Sequence, residues 1–513
     1  MNINSLSKKV LFLFIASVLL YIFSMFWSIS VDREMYLDGS NFFSGILSKD
    51  STWPYWNDDW HNRIFINLLN QFILVLGLKL GVTNLNFLKF LYGFGLFFTS
   101  FLIYVHCFWI SKRASNFLFF FFALANLIIC VVPSSMFILN QAISSLSLNW
   151  LLLHYIFLGA ELKISKVDYS IIFLSLIILF RSHESQLIWS VFIVATYFLI
   201  TFNSKIRKTP EGTLIHKIIF IFSLMHFFFA YFWQKNHPVD QSIYVMYSNI
   251  QNLVNLDQLS QGNIRLAVLS GLSVITVFFI GIVDRKLKRS DSSSFYHQLF
   301  IYSFIFVFSC LTFLSIYFSI SVFNNLSTVD PFREFLYRFL IPFGSVFFMG
   351  LSAFFWLRSI FLSSIEKNML VFTLSIGLFS ASLWQIGNNI NWTNFQMVTS
   401  QALVNSKNFL VDPSEVKILL IQNNLEYLYK YSCNWSWPVY GLTLQHSRNV
   451  EKLFLPQDGF IDWFDISDKD QGYVTLPFVK FKTDGFFIFN SIINKCSISS
   501  CKIGPQFHSD ASI

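Results

Sequence analysis

The side chains best suited to chemistry in this sequence lie in one segment, which follows the first long apolar run. Between Val31 and Arg63 this segment holds several acids, among them Asp32, Glu34 and Asp38. A carboxylate held near a membrane surface can take a proton from a hydroxyl group and so act as a general base. Asp38, followed by Gly39 and an apolar stretch, is the first candidate for that base, with Asp32 and Glu34 as alternates.

The same segment ends in a second polar set, which is predicted to orient an acceptor substrate. Its members are Asp58, Asp59, His61 and Arg63. Trp53, Trp56 and Trp60 stand among them, and tryptophans are enriched at the headgroup level of a bilayer. The alternative interpretation is therefore a solvated loop with an aromatic belt.

Two further sets are candidates for binding a phosphate or a sugar hydroxyl. Arg181, His183 and Glu184 lie at a tight turn between two short apolar runs, where the alternative is that Arg181 and Glu184 neutralise each other.

Arg333 and Arg338 flank the start of a late apolar run. An arginine offers a planar fork of donors that matches phosphate oxygens. The alternative is that Arg333 pairs with a neighbouring acid and Arg338 anchors at lipid headgroups.

The elements that must position these residues are membrane helices. The chain has 513 residues, of which 54% are hydrophobic and only 12% are charged, and its mean hydropathy is +0.55. Soluble domains carry about 25% charged residues. The composition therefore predicts a polytopic membrane protein. The net charge of +8 is attributed to basic clusters in the loops between membrane helices, and not to a nucleic-acid partner.

Apolar runs long enough to cross a bilayer, taken with two shorter ones, predict about eleven spans. They lie near 10–30, 87–110, 115–133, 142–160, 169–181, 186–202, 218–234, 266–283, 298–320, 335–357 and 369–387. Basic clusters fall on one side of this scheme if the N-terminus is cytoplasmic. We therefore predict an all-α transmembrane domain over 1–387, with a first exported loop at 31–86 that includes an interfacial helix at 64–82, and an exported C-terminal domain over 388–513.

The C-terminal domain is predicted to be small and α/β or β-rich. Short strands are expected at Val416–Ile421, Tyr473–Lys482 and Gly485–Ile493, separated by Pro and Gly turns. Trp437 lies in a Trp-rich stretch that predicts core packing, with sugar stacking as the alternative.

The order of these elements resembles the GT-C superfamily of polyprenyl-phosphate-sugar-dependent glycosyltransferases. Tyr36–Phe43 (YLDGSNFF) is similar to that superfamily's acid followed by an apolar helix, and Phe335–Pro342 (FLYRFLIP) is similar to the start of a late span in such enzymes. The paired Asp-Glu that some members show directly after the first span is missing. The choice among Asp32, Glu34 and Asp38 therefore stays open.

The resemblance implies a bacterial inner-membrane enzyme that moves a sugar from a polyprenyl-phosphate donor to a glycan, lipid or protein acceptor on the exported face, with inversion at the anomeric carbon. Its partners would be the bilayer, the lipid-linked sugar and the acceptor. No cofactor is required, although Asp58 and Asp59 leave a divalent cation open. The alternatives are an O-antigen-type polymerase and a transporter or flippase of lipid-linked glycans.

Cys496 and Cys501 are predicted to form a disulfide, because they are close in sequence and share the exported, oxidising side. Cys433 could instead pair with either one. Mass spectrometry of the unreduced protein is expected to find a peptide that links Cys496 to Cys501. Recovery of both thiols free would contradict the prediction.

Overall fold

The computed structural model describes sixteen stretches of the chain. They are residues 7–36, 38–48, 63–131, 141–159, 162–183, 185–202, 210–236, 341–342, 344–357, 364–432, 436–445, 447–457, 464–465, 473–476, 479–483 and 485–498. They form two compact units. The first unit comprises 1–25, 98–326 and 330–385, and the second comprises 26–97, 327–329 and 386–513.

The described part of the chain is mostly helical. The helices are α1 Lys8–Ser30, α2 Asp38–Ser48, α3 Ile64–Lys79, α4 Leu85–Arg113, α5 Leu118–Asn126, α6 Gln141–Leu158, α7 Lys166–Phe180, α8 Gln186–Phe202, α9 Pro210–Asn236, α10 Ser345–Leu357, α11 Ser364–Asn405, α12 Ser414–Gln422, α13 Trp437–Thr443 and α14 Asn490–Ile498. A π-helical turn, Leu127–Val131, follows α5 directly.

Four described helices are long and apolar enough to cross a membrane. They are α1, α4, α6 and the Asn368–Asn405 part of α11. This confirms the prediction of a helical protein with membrane-spanning character. The spans predicted at 266–283 and 298–320 lie outside the described residues, and the count of eleven stays a prediction.

The strands are few and short. β1, Leu410–Val411, pairs in parallel with β2, Leu453–Phe454, and β3, Tyr473–Leu476, pairs antiparallel with β4, Val479–Lys482. The hairpin lies where Tyr473–Lys482 was predicted to be extended.

Two of the strand predictions are wrong. Val416–Ile421 lies within α12, because its apolar residues Val416 and Leu420 recur at helical spacing and fall on the buried face. Gly485–Ile493 forms only an isolated bridge at Ile488 before α14 begins at Asn490. The C-terminal part of the chain is thus more helical than its short apolar runs suggested.

Helix α3, predicted as the interfacial helix, is polar inside and apolar outside. Asn67, Asn70 and Gln71 are buried, whereas Phe72 and Leu76 are exposed. The helix packs closely on α4, where a Cβ on Gly95 would lie 2.9 Å from the Asn70 carbonyl oxygen. Exposed phenylalanine and leucine with inward amides are the reverse of a water-facing helix and suit a lipid-facing one.

In the first unit, buried polar side chains satisfy one another between helices. The Asn149 and Gln186 amides exchange hydrogen bonds of 2.6 and 3.1 Å, and Ser190 links Gln186 to the His226 ring, with 2.9 Å between Ser190 Oγ and His226 Nδ1. Such uncharged pairs hold helices together where no water is present to replace them.

A buried ion pair joins the C-terminal end of α4 to the N-terminal end of α7. Arg113 Nη1 lies 2.8 Å from Asp168 Oδ1, and Arg113 Nη2 donates to the Lys163 carbonyl at 2.7 Å. Asp168 also completes a capping box with Ser165 at the start of α7. The two basic loops at Lys112–Arg113 and Lys163–Lys166 therefore meet, as they must if both lie on the same side of the membrane.

Cysteine labelling tests the predicted orientation. In a chain whose six native cysteines are serine, Ser414→Cys on exposed α12 is expected to react with an impermeant maleimide in intact spheroplasts. Lys163→Cys, also at an exposed position, is expected to react only after permeabilisation. The opposite pattern would show that the N-terminus is not cytoplasmic.

Candidate functional site

The candidate site begins where α1 ends, in a tight turn of the second unit. Asp32 has a left-handed backbone with a φ of 53°, and Arg33–Met35 then form a single 3-10 turn. Aspartate tolerates this conformation better than most residues. Because the chain turns so sharply, the side chains of Asp32, Arg33 and Glu34 leave the backbone toward different neighbours.

Asp32 forms an ion pair with Lys89, which lies in the first turns of α4. The Lys89 side chain is 7% exposed and the Asp32 side chain is 23% exposed. Lys89 Nζ also donates to the backbone carbonyl of Thr443, at the end of α13, over 3.2 Å. Burial raises the pKa of Asp32, and the adjacent Lys89 ammonium opposes that rise.

Glu34 is fully buried, with an exposed fraction of 0%. Among the residues that the structure describes, no other residue forms a hydrogen bond with its carboxylate oxygens, and its own backbone N–H is the group beside them. Its carboxyl group fills a notch above Gly93 of α4, where a Cβ would lie 2.8 Å from Glu34 Cδ and 2.9 Å from Oε2. Burial first, and then the charge of Asp32, raise the pKa of Glu34 well above its usual range. Both causes favour the neutral form of the Glu34 carboxyl group.

Arg33 points to a polar group on α11. Its Nη1 donates to Asn389 Oδ1 at 3.1 Å, and the same oxygen accepts from Ser28 Oγ at 2.8 Å. Burial lowers the pKa of Arg33 to about 10, and the nearby hydroxyls of Tyr431 and Tyr36 oppose the shift. The guanidinium thus stays charged at neutral pH.

An aromatic cluster packs beside this turn. The Tyr36 ring lies edge-on to Trp392 and Tyr431, with centroids 5.6 and 5.7 Å apart, and Trp392 contacts Tyr440 at 5.6 Å. Trp437 is 1% exposed and contacts Phe454. Its burial supports the predicted core packing, not a surface for stacking sugars.

The structure brings together two of the three predicted acids. Asp32 and Glu34 share one turn and face the same end of α4. Asp38 is the first residue of α2, and the placement of its side chain is not described. Arg63 is buried at the N-terminal cap of α3.

The remaining predicted site residues lie in the first unit or outside the described residues. In the first unit, Arg181 caps the C-terminal end of α7, and His183 Nδ1 is 2.9 Å from Ser185 Oγ. Outside the described residues lie Asp58, Asp59, His61, Glu184, Arg333, Arg338 and Cys501. Cys496 lies on α14, but the placement of its side chain is not described.

Lys89, Gly93 and Asn389 are site residues that the sequence analysis missed. Lys89 stands alone within an apolar run, and a charged residue at such a position is a signal of function. Gly93 and Asn389 gave no comparable signal, because a glycine or an asparagine in a membrane helix has many uses. Their roles emerge only from the positions of Glu34 and Arg33.

No metal centre is found in the part of the chain that the structure describes, since no three His, Cys, Asp or Glu side chains there are placed to hold an ion. Comparison of this chain with protein-family models, with curated proteins and with solved structures finds no match. The function must therefore be argued from the site itself.

The neutral state of Glu34 is testable through the pH dependence of stability. An acid whose pKa is higher in the folded protein than in the unfolded chain contributes stability that is complete below about pH 4 and is lost as the pH rises through the raised pKa. We expect Glu34→Gln to fold and to flatten the fall of the unfolding temperature between pH 5 and 9. The slope removed is at most about 1.4 kcal/mol per pH unit.

The matched control is Glu426→Gln, which makes the same change at an exposed position and is expected to leave the slope as in the wild type. Thermal unfolding in detergent or nanodiscs provides the measurement. A slope for Glu34→Gln equal to that of Glu426→Gln would mean that Glu34 is ionised in the folded protein.

Proposed function

We propose that this protein is a membrane glycosyltransferase that moves a sugar from a polyprenyl-phosphate donor to a glycan, lipid or protein acceptor on the exported face of a bacterial inner membrane. The observation that carries the proposal is the buried set of Asp32, Glu34 and Lys89 directly after the first membrane helix. Ionisable groups shielded from water are costly, so their retention needs a functional reason.

Asp32 is the proposed general base, in preference to Asp38. A base must be ionised and must be reachable by substrate. Asp32 is partly exposed and is paired with Lys89, which favours its charged form. Glu34 is fully enclosed and its raised pKa favours the neutral form, so it suits a supporting role better than proton abstraction.

In the proposed reaction Asp32 takes the proton from the acceptor hydroxyl. The oxygen then bonds to the anomeric carbon of the donor sugar while the bond from that carbon to the phosphate oxygen breaks. The polyprenyl phosphate leaves with the bonding electrons. Attack from the face opposite the phosphate inverts the anomeric configuration.

The leaving phosphate needs positive charge near it. Arg338 is the first proposed donor ligand, with Arg181 and Arg333 as further candidates. Asp58, Asp59, His61, Arg63, His183 and Glu184 are the proposed acceptor-binding residues. A transmembrane domain of eleven spans and an exported C-terminal domain complete the proposed architecture.

Substitution of Asp32 tests the proposal. Asp32→Asn keeps the shape of the side chain but cannot accept a proton, so we expect modification of the exported glycan to fall about 10²–10⁴-fold. Glycan analysis of cells at equal membrane abundance of each variant provides the measurement. Asp412→Asn, the same change at an exposed residue before α12, is the control and is expected to be active.

Asp38→Asn separates the two assignments of the base. If cells with Asp38→Asn lose glycan modification and cells with Asp32→Asn keep it in full, the general base is Asp38 and not Asp32. Full modification by both variants, and by Glu34→Gln, would leave the reaction without a base and would contradict the glycosyltransferase assignment.

A further inference from the structure

Three lysines lie around the buried ion pair of Arg113 and Asp168 in the first unit. Lys112 precedes Arg113 in the last turn of α4, and Lys166, the first residue of α7, lies two residues before Asp168. The backbone carbonyl of Lys163 accepts a hydrogen bond of 2.7 Å from Arg113 Nη2, although 50 residues separate the two. The ion pair therefore holds the three lysines together where α4 ends and α7 begins.

The positive charges of these three lysines are exposed and are not offset by neighbouring acids. All three residues are exposed, and in the part of the chain that the structure describes none of them forms an ion pair. Asp168 is 0% exposed, and its carboxylate oxygens already accept hydrogen bonds from Arg113, Tyr155 and Ser165. This end of the two helices therefore carries positive charge that no described acid neutralises.

Exposed apolar side chains continue directly from the lysines along both helices. Arg113 Cζ lies 4.4 Å from the centroid of the Trp109 ring, and Trp109 is 44% exposed. Val105, one turn earlier on α4, is 45% exposed, and Val167 and Phe173 on α7 are 64% and 55% exposed. Tryptophan is enriched at the headgroup level of a bilayer, with apolar side chains beyond it in the hydrocarbon region. The lysines therefore lie where the headgroups of a bilayer meet the protein.

We propose that Lys112, Lys163 and Lys166 bind the phosphate of an anionic phospholipid, whose acyl chain lies along Trp109 and Val105. Ammonium groups attract an anionic headgroup, and the apolar stems of lysines can stay in the interface while their charged ends reach the phosphate. A lipid is the occupant, and not a soluble phosphate, because the apolar surface adjoins the charged one. This lipid site is independent of the proposed transferase chemistry.

Titration of phosphatidylglycerol onto the full-length, delipidated protein in neutral detergent tests the lipid site, with native mass spectrometry to count bound lipid. The test variant carries Lys112→Gln, Lys163→Gln and Lys166→Gln together. A lysine near the headgroups contributes about fivefold to the binding of an anionic lipid, so we expect the apparent Kd to rise about 10²-fold. Phosphatidylcholine, which has no net charge, is expected to bind the wild type and the variant equally.

The matched control removes the same charge from three exposed lysines of the second unit, and its Kd for phosphatidylglycerol is expected to equal that of the wild type. Its substitutions are Lys407→Gln, Lys417→Gln and Lys482→Gln. A second variant replaces the three lysines of the site by arginine, which keeps the charge, and is expected to bind phosphatidylglycerol as the wild type does. Lys112→Gln alone, expected to raise the Kd about fivefold, gives the answer if the triple glutamine variant does not fold.

Equal Kd values for the two triple glutamine variants would overturn the proposal, because the effect would then come from net charge and not from this site. Loss of binding in the arginine variant would also overturn it, since the substitutions would then act through the ends of the helices. Displacement of phosphatidylglycerol by soluble glycerol phosphate at the same concentration would show that the surface binds phosphate without its lipid chains, and would contradict a lipid as occupant.

Discussion

The cost of placing charge in a site shielded from water governs the second unit. An ion pair such as Asp32 and Lys89 loses hydration on both sides, and attraction between the partners offsets that loss only when further hydrogen bonds are supplied. The Thr443 carbonyl supplies one of them. The pair therefore needs the end of α1, the start of α4 and the end of α13 in place together, although Thr443 of α13 lies 354 residues after Lys89 in sequence.

The same cost of placing charge away from water applies to Glu34, the second acid of the turn. Two carboxylates so close to one ammonium cannot both be charged at low cost. The raised pKa of Glu34 favours its neutral form, which lowers that cost, and Gly93 makes the space in which its carboxyl group fits. Arg33 meets the constraint in a third way, because its charge is directed to the amide oxygen of Asn389. The cost of burying charge is thus lowered in three ways: by an ion pair at Asp32, by a hydrogen bond to an amide oxygen at Arg33, and by the neutral form of the carboxyl group at Glu34.

Much of the helical architecture was predictable from the sequence, because apolar runs of sufficient length have few alternatives in a membrane. The helices at α1, α4 and α6 follow the predicted runs closely. The short run Val416–Ile421 was predicted wrongly, since four to eight apolar residues fit a strand and a helix equally well.

The site was only partly predictable for a different reason. Asp32 and Glu34 were found by their position after the first span, which is a local property of the sequence. Lys89 and Asn389 belong to the candidate site through contacts with segments far along the chain, and no local pattern records such contacts. Charge and spacing therefore single out the acids as candidates but not the groups that contact them.

Contacts with distant segments also set the environment of the Asp32 carboxyl group. Asp32 alone at the end of a membrane helix would be an ordinary carboxylate in contact with water. Burial instead raises the pKa of Asp32, and Lys89, which also donates to the Thr443 carbonyl of α13, opposes that rise. Because α13 lies some 400 residues later in the chain, the set of contacts around Asp32 and Lys89 is complete only when the C-terminal segment is folded. A chain in which that segment is not yet in place would leave Lys89 without its carbonyl partner, and the charges of the pair would then oppose the folded state.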